Sequence, residues 1–303
     1  MLTLIEVPEG ESPFFYAALE EWLVRHCDCA ESDYLILYVN NSCAVVGKNQ
    51  SIYKELNFNF WWNEAEKVVR RVSGGGTVFH DAGNLNFAFI SKFEEKKVNN
   101  YRYFNEPIRQ YLIANGIPAT FNARNDLIAN GKKISGNAQF TDRKNIISHG
   151  TLLVHADLQK ISAALKENTY TISTKAVSSV RSSVANIAMF NPKLNSVMQV
   201  KKELAATLTQ QQQLLQPQAI EAVKILQREK YEDYSWRFGR SPQTQLSNQY
   251  FSITISEGKV SHVQYHDPAF LFIEKVANQT FTKYALALTL HPEEIARLTH
   301  CMQ

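Results

Sequence analysis

Apolar residues at positions 15, 19 and 23 recur every four residues behind Ser12-Pro13, a side-chain cap followed by a proline suited to a first helical turn. The pattern predicts an amphipathic helix over residues 12–26. Residues 34–39 and 43–47 read as strands separated by Asn40-Asn41-Ser42, and residues 68–69 and 84–90 as two more. A helix follows over 101–115, ended by Gly116 and Pro118. Asn130-Gly131 lies between extended runs, the strongest short hairpin signal. Residues 148–154 read as a strand entered by a small polar loop. Asp157 caps a helix carrying Leu158, Ile161 and Leu165. The Ser/Thr-rich stretch 171–186 reads as a loop leading into a short helix. Helices are predicted over 197–208 and 219–230, with a glutamine-rich polar spacer between them to which no function is assigned.

Residues 236–242 mark a boundary. Beyond it, residues 250–255 alternate, Glu257-Gly258 turns the chain, residues 260–265 return, and helical segments are expected near 270–277 and 292–300. No internal repeat is visible. Strands and helices mix without strict βαβ alternation, which predicts an α+β fold with a mixed sheet. The expected division is a domain over 1–240 and a small α+β accessory domain over 246–303.

Composition narrows the class. The chain has 303 residues, 45% hydrophobic and 20% charged, as in globular proteins of about two domains. A net charge of +3 is too small to argue for nucleic acid. No apolar run approaches the roughly 18 residues of a membrane helix. The start has no basic n-region or cleavage signature, so a cytoplasmic location is expected. Of the four cysteines, Cys27 and Cys29 are one residue apart and no Cys-x-x-Cys occurs, so a zinc site is not expected and free thiols are.

Candidate chemistry concentrates in Arg70-Arg71-Val72-Ser73-Gly74-Gly75-Gly76-Thr77-Val78-Phe79-His80-Asp81. Glycines let backbone N–H groups approach an anion, and arginine adds a charge-assisted fork. It is neither a Walker loop nor a dinucleotide fingerprint. A glycine-rich hairpin between two strands is the alternative. Two further segments bear on it: Arg124-Asn125-Asp126 with Lys133-Ile134-Ser135-Gly136-Asn137-Ala138, and His149-Gly150-Thr151-Leu152-Leu153. The Asn130-Gly131 turn puts Asp126 and Lys133 on paired strands near one turn.

In this order the three segments resemble the lipoate–protein ligase A family, through roughly the first four-fifths of the chain. The resemblance implies a mixed-sheet catalytic domain of the class II synthetase and biotin-ligase type, with a small accessory domain at the C-terminus. It implies ligation of free lipoate to a lysine of a lipoyl-domain protein, through lipoyl-AMP, with release of pyrophosphate. ATP and Mg²⁺ would serve as co-substrate, with no tightly bound prosthetic group. Acceptors would be 2-oxoacid dehydrogenase E2 subunits or the glycine-cleavage H protein, and a monomer with no nucleic-acid or membrane partner is expected.

By the same resemblance, Lys133 is the catalytic residue, an ammonium touching both the lipoate carboxylate and the α-phosphate. Arg71, Gly76, Thr77, Val78 and Phe79 join Lys133 in holding the adenylate. Arg71, Ser73, Gly74, Gly75, Gly76, Lys133, His149 and Gly150 hold lipoate. Arg70, His80, Asn125, Asp126, Ser178 and Arg181 complete the set, with His80 and Asp81 bracing the glycine loop and Asp126 a candidate for magnesium or ribose. The 171–186 loop would close over the adenylate. The metal ligands stay open. Alternatives are an octanoyl or lipoyl transferase of the same fold, a biotin ligase and a non-catalytic lipoate-binding partner. A transferase working through a thioester needs a thiolate near the site, yet none of the four cysteines falls between Cys43 and Cys301. A biotin ligase would carry a Gly-Arg-Gly-Arg-like motif, which is absent.

Overall fold

The computed structural model describes residues 1–303. The chain begins with β1 (Leu2–Glu6), α1 (Pro13–His26), β2 (Asp33–Val39) and β3 (Cys43–Val46). The Ser12 hydroxyl accepts from the Phe15 N–H and so starts α1 where the sequence places it. Two short helices, α2 (Ile52–Glu55) and α3 (Phe58–Asn63), lead to β4 (Val68–Arg70), β5 (Val78–His80) and β6 (Asn84–Lys92). Then come α4 (Tyr101–Ala114), β7 (Ala119–Phe121), β8 (Leu127–Ala129), β9 (Lys132–Thr141), β10 (Asn145–Leu153) and α5 (Leu158–Ala164). The β8–β9 turn is Asn130-Gly131, both with positive φ (46° and 76°), as a tight two-residue hairpin requires.

The remaining elements are β11 (Thr171–Thr174), α6 (Val197–Leu208), β12 (Gln211–Leu214), α7 (Pro217–Leu226), β13 (Thr244–Ser247), β14 (Phe251–Ser256), β15 (Lys259–Tyr265), α8 (Lys283–Leu286) and α9 (Pro292–Met302). The main sheet has the order β12-β1-β2-β6-β10-β9-β8-β7. It is mixed: β1 pairs parallel with β12 and β2, and the pairs from β2 onward are antiparallel. Alternation along β2 and β6 sorts the two faces. Leu35, Leu37, Phe87 and Phe89 pack under α4 and α6, while Ile36, Tyr38, Ala88 and Ile90 face α1 and α7.

Two features differ from the sequence reading. The glutamine spacer is the edge strand β12, its four side chains exposed and its backbone paired to β1. A ladder needs only main-chain groups, so residue type gives little warning at an exposed edge. The 171–186 loop begins with β11, which pairs with β13 in a second sheet, β11-β13-β14-β15. A strand from within the expected 1–240 domain thus completes the accessory sheet.

The two parts also share a core. Tyr53, Phe58, Trp61 and Trp62 of α2 and α3 cluster with Phe251, Ile253, Phe281 and Leu298. The Phe281 ring lies 5.8 Å from both Trp61 and Trp62. Buried arginines tie the join. Arg70 donates to the carbonyls of Gly47, Gln50 and Arg237 and to the Ser241 hydroxyl, while Arg237 Nε donates to the Val68 carbonyl. We therefore expect Phe281→Ala to cost about 3–5 kcal/mol in urea unfolding and to lower the stability of the whole chain in one transition. Two separated transitions, with tryptophan fluorescence unchanged in the first, would contradict a shared core.

Candidate functional site

The small sheet β4-β3-β5 decides the shape of the glycine segment. Strand β4 runs parallel to β3 on one side and β5 antiparallel on the other. Residues 71–77 therefore cross from one edge of β3 to the other, and the hairpin alternative fails. Arg71 is buried inside this crossing. Its Nε donates to the Ser73 hydroxyl, and its terminal nitrogens donate to the carbonyls of Val45, Gly74 and Gly76. Burial lowers its pKa to about 10, so it stays charged at neutral pH. Three of its five N–H donors are thus spent on the loop itself and a fourth on β3, so Arg71 shapes the cradle more than it reaches beyond it. The N–H groups of Gly74, Gly75 and Gly76 donate to no protein acceptor. Gly75 has φ +82°, and a Cβ on Gly47 would overlap its carbonyl, so two backbones meet here with no room for a side chain.

Strand β10 contributes His149 from its middle, not from a strand start. Its Nε2 lies 2.7 Å from the Ser73 hydroxyl and its Nδ1 bonds the Glu20 carboxylate. Glu20 accepts the Tyr38 hydroxyl at 2.9 Å. Guanidinium only donates and carboxylate only accepts, so the two ends are fixed: Arg71 donates to Ser73 and His149 Nδ1–H donates to Glu20, with Ser73 and His149 Nε2 hydrogen-bonded between them. The sequence placed Glu20 in the first helix without a site role. Its signal was a pair of adjacent carboxylates, Glu20 and Glu21, in a largely apolar helical run. Glu21 faces elsewhere: burial opposes its charge, but bonds from Lys230, Tyr231 and Arg25 outweigh this and lower its pKa.

These residues border a cavity of about 340 Å³ between the sheet, α1 and the glycine loop. Glu20, Arg71, Gly75, Gly76, His80, Asp126, Lys133, His149 and Gly150 all line it. Lys133 Nζ is 2.8 Å from Asp126 Oδ1. Gly136 makes this position possible, since a Cβ there would stand 2.9 Å from the Lys133 ammonium. Asn125 takes φ 62°, and its carbonyl accepts from Asn137 Nδ2 in the cavity wall. A second cavity of about 570 Å³ adjoins the first, and Thr77, Val78, Lys133, Gly136 and Thr151 line both. Phe79 and Arg181 line only the second, the Arg181 guanidinium bonded to the Leu165 carbonyl.

A strap over residues 175–185 separates the two cavities. One end is tied to Lys133: its N–H donates to the Ser183 carbonyl and its own carbonyl accepts from Ala185. Ser178 lines the first cavity, but the knot is Ser179. Its hydroxyl bonds the buried Glu55 carboxylate and accepts from the Thr77 N–H (2.9 Å) and Gln50 Nε2 (3.0 Å). Three segments distant in sequence meet at one oxygen, which is why local patterns could not single it out. Arg70, by contrast, is fully buried among carbonyls and does not line either cavity; it is a structural residue here, because those carbonyls need a donor that stays charged. Asp81 accepts from the N–H groups of Gly83 and Asp157 and braces the loop after β5.

Thiolate chemistry at the site finds little support. Cys43 is wholly buried in β3, and burial pushes its pKa far up. Burial likewise raises Cys27 to about 12 and Cys29 to about 11. No group of three His, Cys, Asp or Glu side chains converges on a metal position, and no helix is long and apolar enough to cross a membrane.

Comparisons with known proteins give the chain's family and fold. The lipoate–protein ligase LplJ of Bacillus subtilis is 36% identical over 243 residues, covering 78% of this chain and 73% of its own. A structure of lipoate–protein ligase A bound with ATP superposes with TM-score 0.65 at 23% identity, covering 78% and 98% of the two chains. The bipartite lipoate–protein ligase of Thermoplasma acidophilum, studied with its E2 lipoyl domain, gives 0.64 at 23% identity, covering 79% and 96%. Residues 12–209, which include the glycine loop, Lys133, His149 and the strap, match the lipoyl protein ligase A/B catalytic domain, and the chain belongs to that family.

Proposed function

We propose that the chain joins lipoate to a lysine of a lipoyl-domain protein in two steps driven by Mg-ATP. The observation that carries this reading is the Lys133 ammonium at the junction of the two cavities. A carboxylate is a poor electrophile. Activation requires bringing it, an anion, against the α-phosphate of a polyanionic triphosphate. A fixed cation between the two removes that repulsion and holds charge as the phosphorus becomes pentacoordinate. The carboxylate oxygen attacks phosphorus, pyrophosphate leaves, and the mixed anhydride is the product. The acceptor lysine amine then attacks the carbonyl carbon and AMP leaves.

The first cavity, running over the sheet, suits the acyl chain, and the second, lined by Phe79, Leu158, Ile161, Lys166 and Arg181, suits the nucleotide. The free N–H groups of Gly74–Gly76 are donors for the carboxylate or phosphate oxygens. Asp126 is a single carboxylate beside Lys133. That fits magnesium arriving with the nucleotide, which is held by one or two carboxylates and the phosphates. Lys133 would exchange Asp126 for the substrate anions. We assign catalysis to residues 1–240 and an accessory role to 246–303. Four free cysteines are consistent with a reducing, cytoplasmic setting. The thioester transferase is disfavoured by the burial of Cys43.

Lys133→Ala is expected to lower lipoate-dependent pyrophosphate release from Mg-ATP about 10²–10³-fold, the scale of removing one transition-state charge donor. Release within tenfold of the parent, from a folded variant, would remove Lys133 from this role. Ser179→Ala deletes the three bonds of one hydroxyl and leaves the Glu55 carboxylate buried with only the strap N–H. Cleavage of the strap by limiting protease should rise about tenfold, as loss of roughly 1.4 kcal/mol implies. Unchanged cleavage would show that the strap is anchored elsewhere.

A further inference from the structure

The acyl cavity has a direction. Strand order and register lay Gly136, Thr151, Asn86 and Tyr38 side by side across β9, β10, β6 and β2. Three strand spacings span roughly 14 Å, the scale of a medium-chain fatty acid. Lys133 stands at the β9 side, where the nucleotide cavity opens. A chain whose carboxylate meets Lys133 therefore ends at the β2 side.

That end is polar. Asn40 follows β2 and His80 ends β5, and both line the cavity. They are 3% and 5% exposed. Asn40 Nδ2 donates to His80 Nδ1 at 2.8 Å, which leaves the ring proton on Nε2. His80 Nε2 and Asn40 Oδ1 are buried with no partner. Burial lowers the His80 pKa to about 3, with Arg71 and His149 adding to the effect, so the ring is neutral and offers one N–H. One donor and one acceptor thus stand unsatisfied where a saturated chain would end. A buried polar group left unpaired is costly, and a site built around such a group rejects ligands that cannot bond it.

We propose that Asn40 and His80 form a specificity subsite that reads the far end of the acyl chain, favouring a ring sulfur over a saturated carbocycle of the same shape. This rests on the ligase reading for the chain's orientation. A dithiolane sulfur is a weak acceptor for the His80 N–H and strongly polarisable. A cyclopentane ring fills the same space but leaves the His80 N–H unpaired, while the Asn40 Oδ1 acceptor is bonded by neither ring and so does not enter the comparison. Asn40 acts through His80 by fixing its tautomer, so it is a positioning residue, while His80 meets the ligand.

The test compares the binding of lipoate and of 5-cyclopentylpentanoate by calorimetry, in the full-length parent, His80→Leu and Asn40→Leu. The parent should prefer lipoate by about tenfold. In either variant that folds, judged by circular dichroism, the ratio should fall to within about threefold of unity. The ratio is internal to each preparation, so a general loss of stability does not move it. No preference in the parent, or the parent's ratio retained in both variants, overturns the subsite. Pyrophosphate release by the parent with lipoate is measured alongside; its absence would count against the ligase reading alone, because the binding ratio does not depend on turnover.

Discussion

A buried guanidinium surrounded by peptide carbonyls is the constraint on which the site depends. Arg71 has too little water around it to be solvated, so the loop must wrap it, and the carbonyls of Val45, Gly74 and Gly76 turn inward to do so. When those carbonyls point in, the intervening N–H groups are left to face out. A side chain at position 75 or 47 would block that path, because Gly75 sits at positive φ and presses against Gly47. The charge and the glycines are therefore one device. The arginine supplies the reason for the loop to curl, and the glycines supply the freedom to do it.

The same arginine reaches further through Ser73, His149, Glu20 and Tyr38, which join the glycine loop to β10, α1 and β2. Rotation of any one hydrogen-bonding group would leave a buried neighbour unpaired, which makes this side of the cavity stiff. The other side is the strap, knotted at Ser179 and on the backbone of Lys133, with outlying bonds from Arg124 to Ser182 and from Arg181 to the Leu165 carbonyl. A rigid wall facing a wall tied at few points suits a reaction whose activated intermediate must be shielded from water and then released to a protein.

The C-terminal part belongs to this picture through packing. Trp61 and Trp62 lie on one side of Phe281, and β11, drawn from the stretch just before the strap, adds a strand to the accessory sheet. The segment entering the strap is thus anchored in the accessory part. The segment leaving it is anchored on Lys133. The position of the strap depends on both.

Short-range signals in the sequence determined much of this. Ser12-Pro13 started α1, Asn130-Gly131 turned β8 into β9, and Glu257-Gly258 turned β14 into β15, because a cap or a tight turn is decided by residues within a few positions of one another. The ordered motifs around Gly74–Gly76, Lys133 and His149 likewise pointed to one family. Only the tertiary structure decided which groups meet. It sent Arg70 among carbonyls and Arg71 into the loop, although they are neighbours, because alternate strand residues face opposite ways. It made Ser179 a knot and Ser178 a wall, turned a glutamine spacer into an edge strand, and brought Glu20, Glu55 and Asn40 to buried positions around the site. Burial and long-range pairing set the energy of a buried charge or an unpaired N–H, and neither is written in the residues adjacent to it.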